Sequence, residues 1–73
     1  MKKELQKNNW DFVLYKDEDD IIINVVFFDK AIDYSRNFKV GNEVANLDFE
    51  SLKTLSSHIR DNYEIYKDKE IHT

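Results

Sequence analysis

"DEDDIIINVVFFDK", residues 17–30, places four acids directly before an eight-residue run in which seven side chains are apolar. A strand with one face in water alternates apolar and polar residues, so this strand is apolar on both faces. The flanking stretches complete the pattern. "WDFVLYK" at 10–16 alternates, with Trp10, Phe12 and Leu14 on one side and Asp11, Val13 and Tyr15 on the other. "AIDYSRNFKV" at 31–40 alternates again, with Ile32, Tyr34, Arg36, Phe38 and Val40 sharing a face. Asp33, Ser35, Asn37 and Lys39 take the opposite face.

Register arithmetic tests whether these strands pair. A two-residue turn at 29–30 sets Phe28 opposite Ala31, Phe27 opposite Ile32, Val25 opposite Tyr34 and Ile21 opposite Phe38. A four-residue loop at 17–20 sets Lys16 opposite Ile21, Leu14 opposite Ile23, Phe12 opposite Val25 and Trp10 opposite Phe27. Gly41-Asn42 suits a type II′ turn. A short fourth strand at 43–47 would then put Phe38 opposite Ala45 and Arg36 opposite Leu47, although a helical turn competes for the same residues. All three turns sort the large apolar residues onto one face, and a one-residue slip would mix the faces.

Asp48 fits a helix N-cap, and Glu50 suits the positive end of the helix dipole. Phe49, Leu52, Leu55 and Ile59 recur at helical spacing, with Lys53, Arg60 and the serines turned outward. Asn62 either ends this helix or is crossed by it on the way to Tyr63 and Tyr66. The expected fold is α+β. It is an antiparallel three- to four-stranded meander with one C-terminal helix packed on the Trp10/Phe12/Leu14/Ile23/Val25/Phe27 face. The 73 residues form one small domain: 1–9 frayed, 10–47 the meander, 48–62 the helix and 63–73 a tail. Arg36 is a misfit on the core face, its stem at the core edge and its head in water.

One helix cannot cover both sides of a sheet. Val13, Tyr15, Ile22, Val26 and Phe28 therefore form an apolar strip on the second face. Such a strip marks an interface unless the N-terminal segment or the tail folds over it. The acidic run Asp17, Glu18, Asp19 and Asp20 admits two readings, a solvated hairpin loop or a knob for a basic protein partner.

The chain carries a net charge of −4, which disfavours generic duplex binding and fits a basic partner. It has no cysteine, and His58 and His72 lack metal-ligand spacing, so no metal or cofactor is expected. An EF-hand reading of 17–28 fails, because Ile22 holds the glycine position and Phe28 the position of the final Glu. One glycine cannot build a phosphate loop, and no serine lies in a nucleophile-elbow context. These observations argue for a protein without catalysis. Exposed sheet aromatics raise single-strand RNA binding, but the first helix and the Gly-aromatic motif of an RNA-recognition fold are missing. "MKKELQKNN" has no apolar h-region, and no apolar run is long enough to span a membrane, so a cytoplasmic location is the expectation.

Residues 37–71, "NFKVGNEVANLDFESLKTLSSHIRDNYEIYKDKEI", resemble the back half of small bacterial immunity proteins that accompany polymorphic or contact-dependent toxins. The likeness lies in short strands, the "LDFESLKTLSSHI" helix and a Tyr/charged tail; it contains no diagnostic motif, and no functional residue carries over. It implies a cytoplasmic inhibitor that neutralises a toxin by occlusion, such as a nuclease with a basic cleft. The alternative is a homo-oligomeric accessory or regulatory module that uses the apolar strip as a self-interface.

Overall fold

The computed structural model describes residues 2–29 and 32–71. His72, Lys30 of the turn expected at 29–30, and Ala31, expected opposite Phe28, lie outside the described residues. The fold is α+β, with five antiparallel strands in sequential order and a helix laid across one face. The strands are β1 (Lys2–Asn8), β2 (Phe12–Asp17), β3 (Asp20–Asp29), β4 (Ile32–Val40) and β5 (Glu70–Ile71). The helices are α1 (Phe49–Asp61) and a single turn, α2 (Tyr63–Tyr66).

Residues expected to fray form β1, which pairs with β2 from Lys2↔Asp17 to Asn8↔Phe12. The register shifts between Glu4 and Gln6, a bulge around Leu5. Leu5 packs against the core, and Gln6 Nε2 donates to the Leu47 carbonyl (2.9 Å). The outer edge thus carries Lys2, Lys3 and Lys7 together with a bulge, two devices that discourage pairing with another chain.

The β2–β3 register is the expected one, with Phe12↔Val25, Leu14↔Ile23 and Lys16↔Ile21. Pairing continues to Asp17↔Asp20, so the loop shrinks to Glu18-Asp19, with Glu18 at φ 57°. Between β3 and β4 the register differs by two residues: Ile23 meets Phe38, Val25 meets Arg36, Phe27 meets Tyr34 and Phe28 meets Asp33. A slip of two leaves every side chain on its expected face, because the strand period is two.

The fourth strand expected at 43–47 is instead a 3-10 turn over Asn42–Asn46, with Val44 buried. β4 takes β5 as its neighbour, through Asn37↔Ile71 and Phe38↔Glu70. Asp48 caps α1, its carboxylate accepting from Ser51 N at 2.8 Å. The helix ends at Asn62, after which α2 turns back towards the sheet.

The core lies between the sheet and α1. Phe12, Leu14, Ile23, Val25, Phe38, Leu52 and Ile59 are fully buried there. Tyr63 from α2 sets its ring edge-on against Phe27 (5.8 Å) and Phe38 (6.2 Å). Trp10, placed by alternation opposite Phe27 in this core, is instead 75% exposed. It sits in the β1–β2 turn at φ 66°, outside the strand that would have turned it inward. Arg36 is half-buried rather than free in water. Its guanidinium lies over Tyr63 (4.7 Å) and Tyr34 (5.2 Å) and pairs with Glu70 at 2.9 Å. Ser56 and Arg60 were expected outside; Ser56 is fully buried, and Arg60 is folded against the sheet.

Candidate functional site: the aromatic end of the sheet

The second face is less open than its sequence suggests. Tyr15 and Ile22 are only 7% and 4% exposed. Tyr15 reaches across β3 and donates from its hydroxyl to Asn37 Oδ1 (3.0 Å), which also accepts from Asn24 Nδ2 (2.9 Å). Lys2 Nζ stands 5.1 Å from the Tyr15 ring centre. Burial, with the Asp17 charge second, pushes the Tyr15 hydroxyl above its usual pKa. The sheet therefore covers the middle of its second face with its own side chains. Among the described residues the tail does not cover it; it pairs along β4 and turns Tyr63 into the first face.

What stays open is one end. Val13 and Val26 are half-buried, and Phe28 is 57% exposed. β2 stops pairing at Phe12↔Val25, so β3 runs on through Val26, Phe27 and Phe28 without a strand on that side. Beside this overhang stands Trp10. A non-glycine residue in the left-handed region costs about 1–2 kcal/mol, and such strain persists only where the surroundings hold it.

Asp11 supplies that hold. Its backbone N–H donates to the Asn8 carbonyl (3.0 Å), and its own carbonyl accepts from Val26 N (2.9 Å). Its carboxylate accepts from Asn8 Nδ2 (3.0 Å), Ser56 Oγ (3.0 Å) and Arg60 Nη2 (2.8 Å). Burial alone would raise the Asp11 pKa; the hydrogen bonds from Arg60, Ser56 and Asn8, with the Arg60 charge, outweigh it and hold the carboxyl below 3.8. Arg60 Nε also donates to the Val26 carbonyl (2.6 Å), filling the edge position that β2 leaves vacant, while its guanidinium lies over the Phe28 ring (5.6 Å).

The turn is thus tied to β3 and α1, and Trp10 is displayed from a fixed base. A shallow groove of about 200 Å³ adjoins it, lined by Trp10, Val26, Asp33, Tyr34 and Ser35. Val26↔Ser35 and Phe28↔Asp33 are same-face pairs on either side of Phe27↔Tyr34, so the second face forms its floor.

The acidic run lies at the other end of the sheet. Asp20 and Phe28 are separated along β3 by eight residues, roughly 27 Å at about 3.4 Å per residue. Asp20 pairs with Lys39 at 3.2 Å, and Lys2 and Lys3 of β1 lie across from Asp17 and Lys16. The structure therefore brings Val26 and Phe28 together at the open end, buries Tyr15 and Ile22, and leaves Asp17, Glu18, Asp19 and Asp20 apart from them.

Trp10 was missed as a surface residue because alternation carried it into β2. The signal lay in "NNWD", two turn-forming asparagines directly before it. Among the described residues, no group of three or more His, Cys, Asp and Glu side chains could hold a metal ion. No helix there is long and apolar enough to cross a membrane. No family model, curated protein or solved structure matches the chain.

Proposed function

We propose that the chain is a non-catalytic binding protein that inhibits a protein partner by occlusion, as the resemblance of residues 37–71 to immunity proteins implies. The observation that carries this reading is Trp10. A large aromatic side chain is held three-quarters exposed, on a strained backbone, by a half-buried polar anchor. Binding hot spots are enriched in tryptophan, and a preorganised anchor loses little entropy on association. Trp10, Val26 and Phe28 form the contact surface. They lie outside residues 37–71, so that half of the chain serves as scaffold. The net charge of −4 favours a basic partner. Asp17, Glu18, Asp19 and Asp20, at the far end, act on encounter rate and salt dependence rather than on the docked contact.

Capture from the source cell with two baits tests this, one wild type and one Trp10→Ala. The expected result is a protein retained by the first and lost by the second, whose activity the purified wild-type chain blocks. Identical captures by both baits overturn the reading. A concentration-dependent dimer that Trp10→Ala abolishes would instead assign the surface to self-association.

A further inference from the structure

The groove beside Trp10 carries chemistry of its own. Its floor is Val26 and Ser35, with the Trp10 indole and Asp33 also lining it. Asp33 is exposed and makes no ion pair among the described residues, unlike Asp11, Asp20, Glu50, Glu64 and Glu70. An open carboxylate and an exposed tryptophan lining one groove are a setting for a cation. Indole is the strongest aromatic partner for a positive charge, and a planar guanidinium both stacks on a ring and forks onto a carboxylate. The volume, about 200 Å³, suits one long side chain rather than a small-molecule ligand, whose pockets span roughly 300–1,000 Å³. The neighbouring basic group does not fill the groove, because Arg60 is committed to Asp11 and the Val26 carbonyl.

We propose that this groove receives an arginine side chain of the protein partner, stacked on Trp10 and paired with Asp33. The inference rests on the reading of Trp10 as the contact surface and adds the chemistry of what meets it. The same chain already builds such an arrangement internally, where Arg36 lies over Tyr63 and Tyr34 and pairs with Glu70.

Two peptides test it, acetyl-Val-Arg-Val-amide and the same peptide with citrulline, which keeps the shape of arginine without its charge. Each is titrated into the isotopically labelled full chain and followed by NMR at the Trp10 indole N–H and the Asp33 backbone amide. The expected result is saturation at both positions by the arginine peptide, with the citrulline peptide about 3-fold weaker or more. Asp33→Asn, an exposed change that leaves the fold intact, should cut the arginine preference by about 2- to 5-fold. Equal binding of both peptides at Trp10 overturns the arginine proposal while leaving an apolar contact surface in place. Shifts that avoid Trp10 and Asp33 also overturn it, and the capture experiment then judges the broader reading separately.

Discussion

Arg60 and Asp11 stand 49 positions apart in sequence, and Arg60 Nη2 meets Asp11 Oδ1 at 2.8 Å. This contact joins the last turn of the helix to the turn that precedes β2. Replacing Arg60 by methionine would remove the charged partner of the Asp11 carboxylate, leaving it Asn8 and Ser56, and would take the Nε donor from the Val26 carbonyl. A lost hydrogen bond to a charged group costs about 1.5–3 kcal/mol. Urea denaturation of Arg60→Met should show a loss in that range; a loss below about 0.5 kcal/mol would mean the anchor does not hold the turn.

The same anchor makes stability depend on pH. The folded-state pKa of Asp11 lies below the ordinary aspartate value of 3.8. Its contribution is therefore complete above that value and fades as pH falls through the lower, folded one. Asp48, which caps α1 and whose carboxyl the Ser51 hydrogen bonds hold low, behaves in the same direction. Thermal melts from pH 6 down to 2 should show the wild type losing stability on the acid side. Asp11→Asn should be less stable at pH 6 and flatter below about pH 4; an acid limb as steep as the wild type's would exclude Asp11 as its source.

Leu52 is fully buried between α1 and the sheet. Truncation to alanine leaves a cavity that a small core cannot close, at a cost of about 2–5 kcal/mol. Chemical denaturation measures it directly. A change under about 1 kcal/mol would contradict the placement of α1 on the first face.

Glu18 and Trp10 both have positive φ, and glycine adopts that conformation without a steric penalty. Glu18→Gly should stabilise the β2–β3 hairpin by about 0.5–1 kcal/mol and leave binding to the partner's docked surface unchanged. Trp10→Gly should also hold or gain stability, since its side chain is mostly in water, yet should lose the partner. A pair of melting curves and a binding isotherm separate the two. Marked destabilisation by Trp10→Gly would show that the indole supports the fold rather than serving recognition.

The central hairpins were legible because their signal is redundant. Leu14, Ile23, Val25 and Phe38 are large and apolar at every second position, so even the two-residue error between β3 and β4 kept each on the core face. β1 was not legible, since "KKELQKN" is polar and the bulge at Leu5 interrupts its alternation. The 3-10 turn at Asn42–Asn46 was hidden by length, as five residues carry too little periodicity to separate a strand from a helical turn. The site was half legible. Val26 and Phe28 follow from strand parity; Trp10 was signalled only by the two asparagines before it, and Arg60 depends on how a charged side chain is held, which no local pattern encodes. Arginine on a polar-looking helix flank signals solvent until a carboxylate from a distant turn meets it.

The sequential order of the strands also bears on the route to the native state. Each of β1 to β4 pairs with its neighbour in the chain, so most ladder formation closes short loops, which is fast. The Arg60–Asp11 contact closes the longest span described here and needs both α1 and the β1–β2 turn in place. It therefore belongs after the rate-limiting barrier. In stopped-flow kinetics Arg60→Met should leave the refolding limb nearly unmoved and accelerate unfolding. The residue that steadies the aromatic end would then set how long the folded chain survives, while the meander alone sets how quickly it forms.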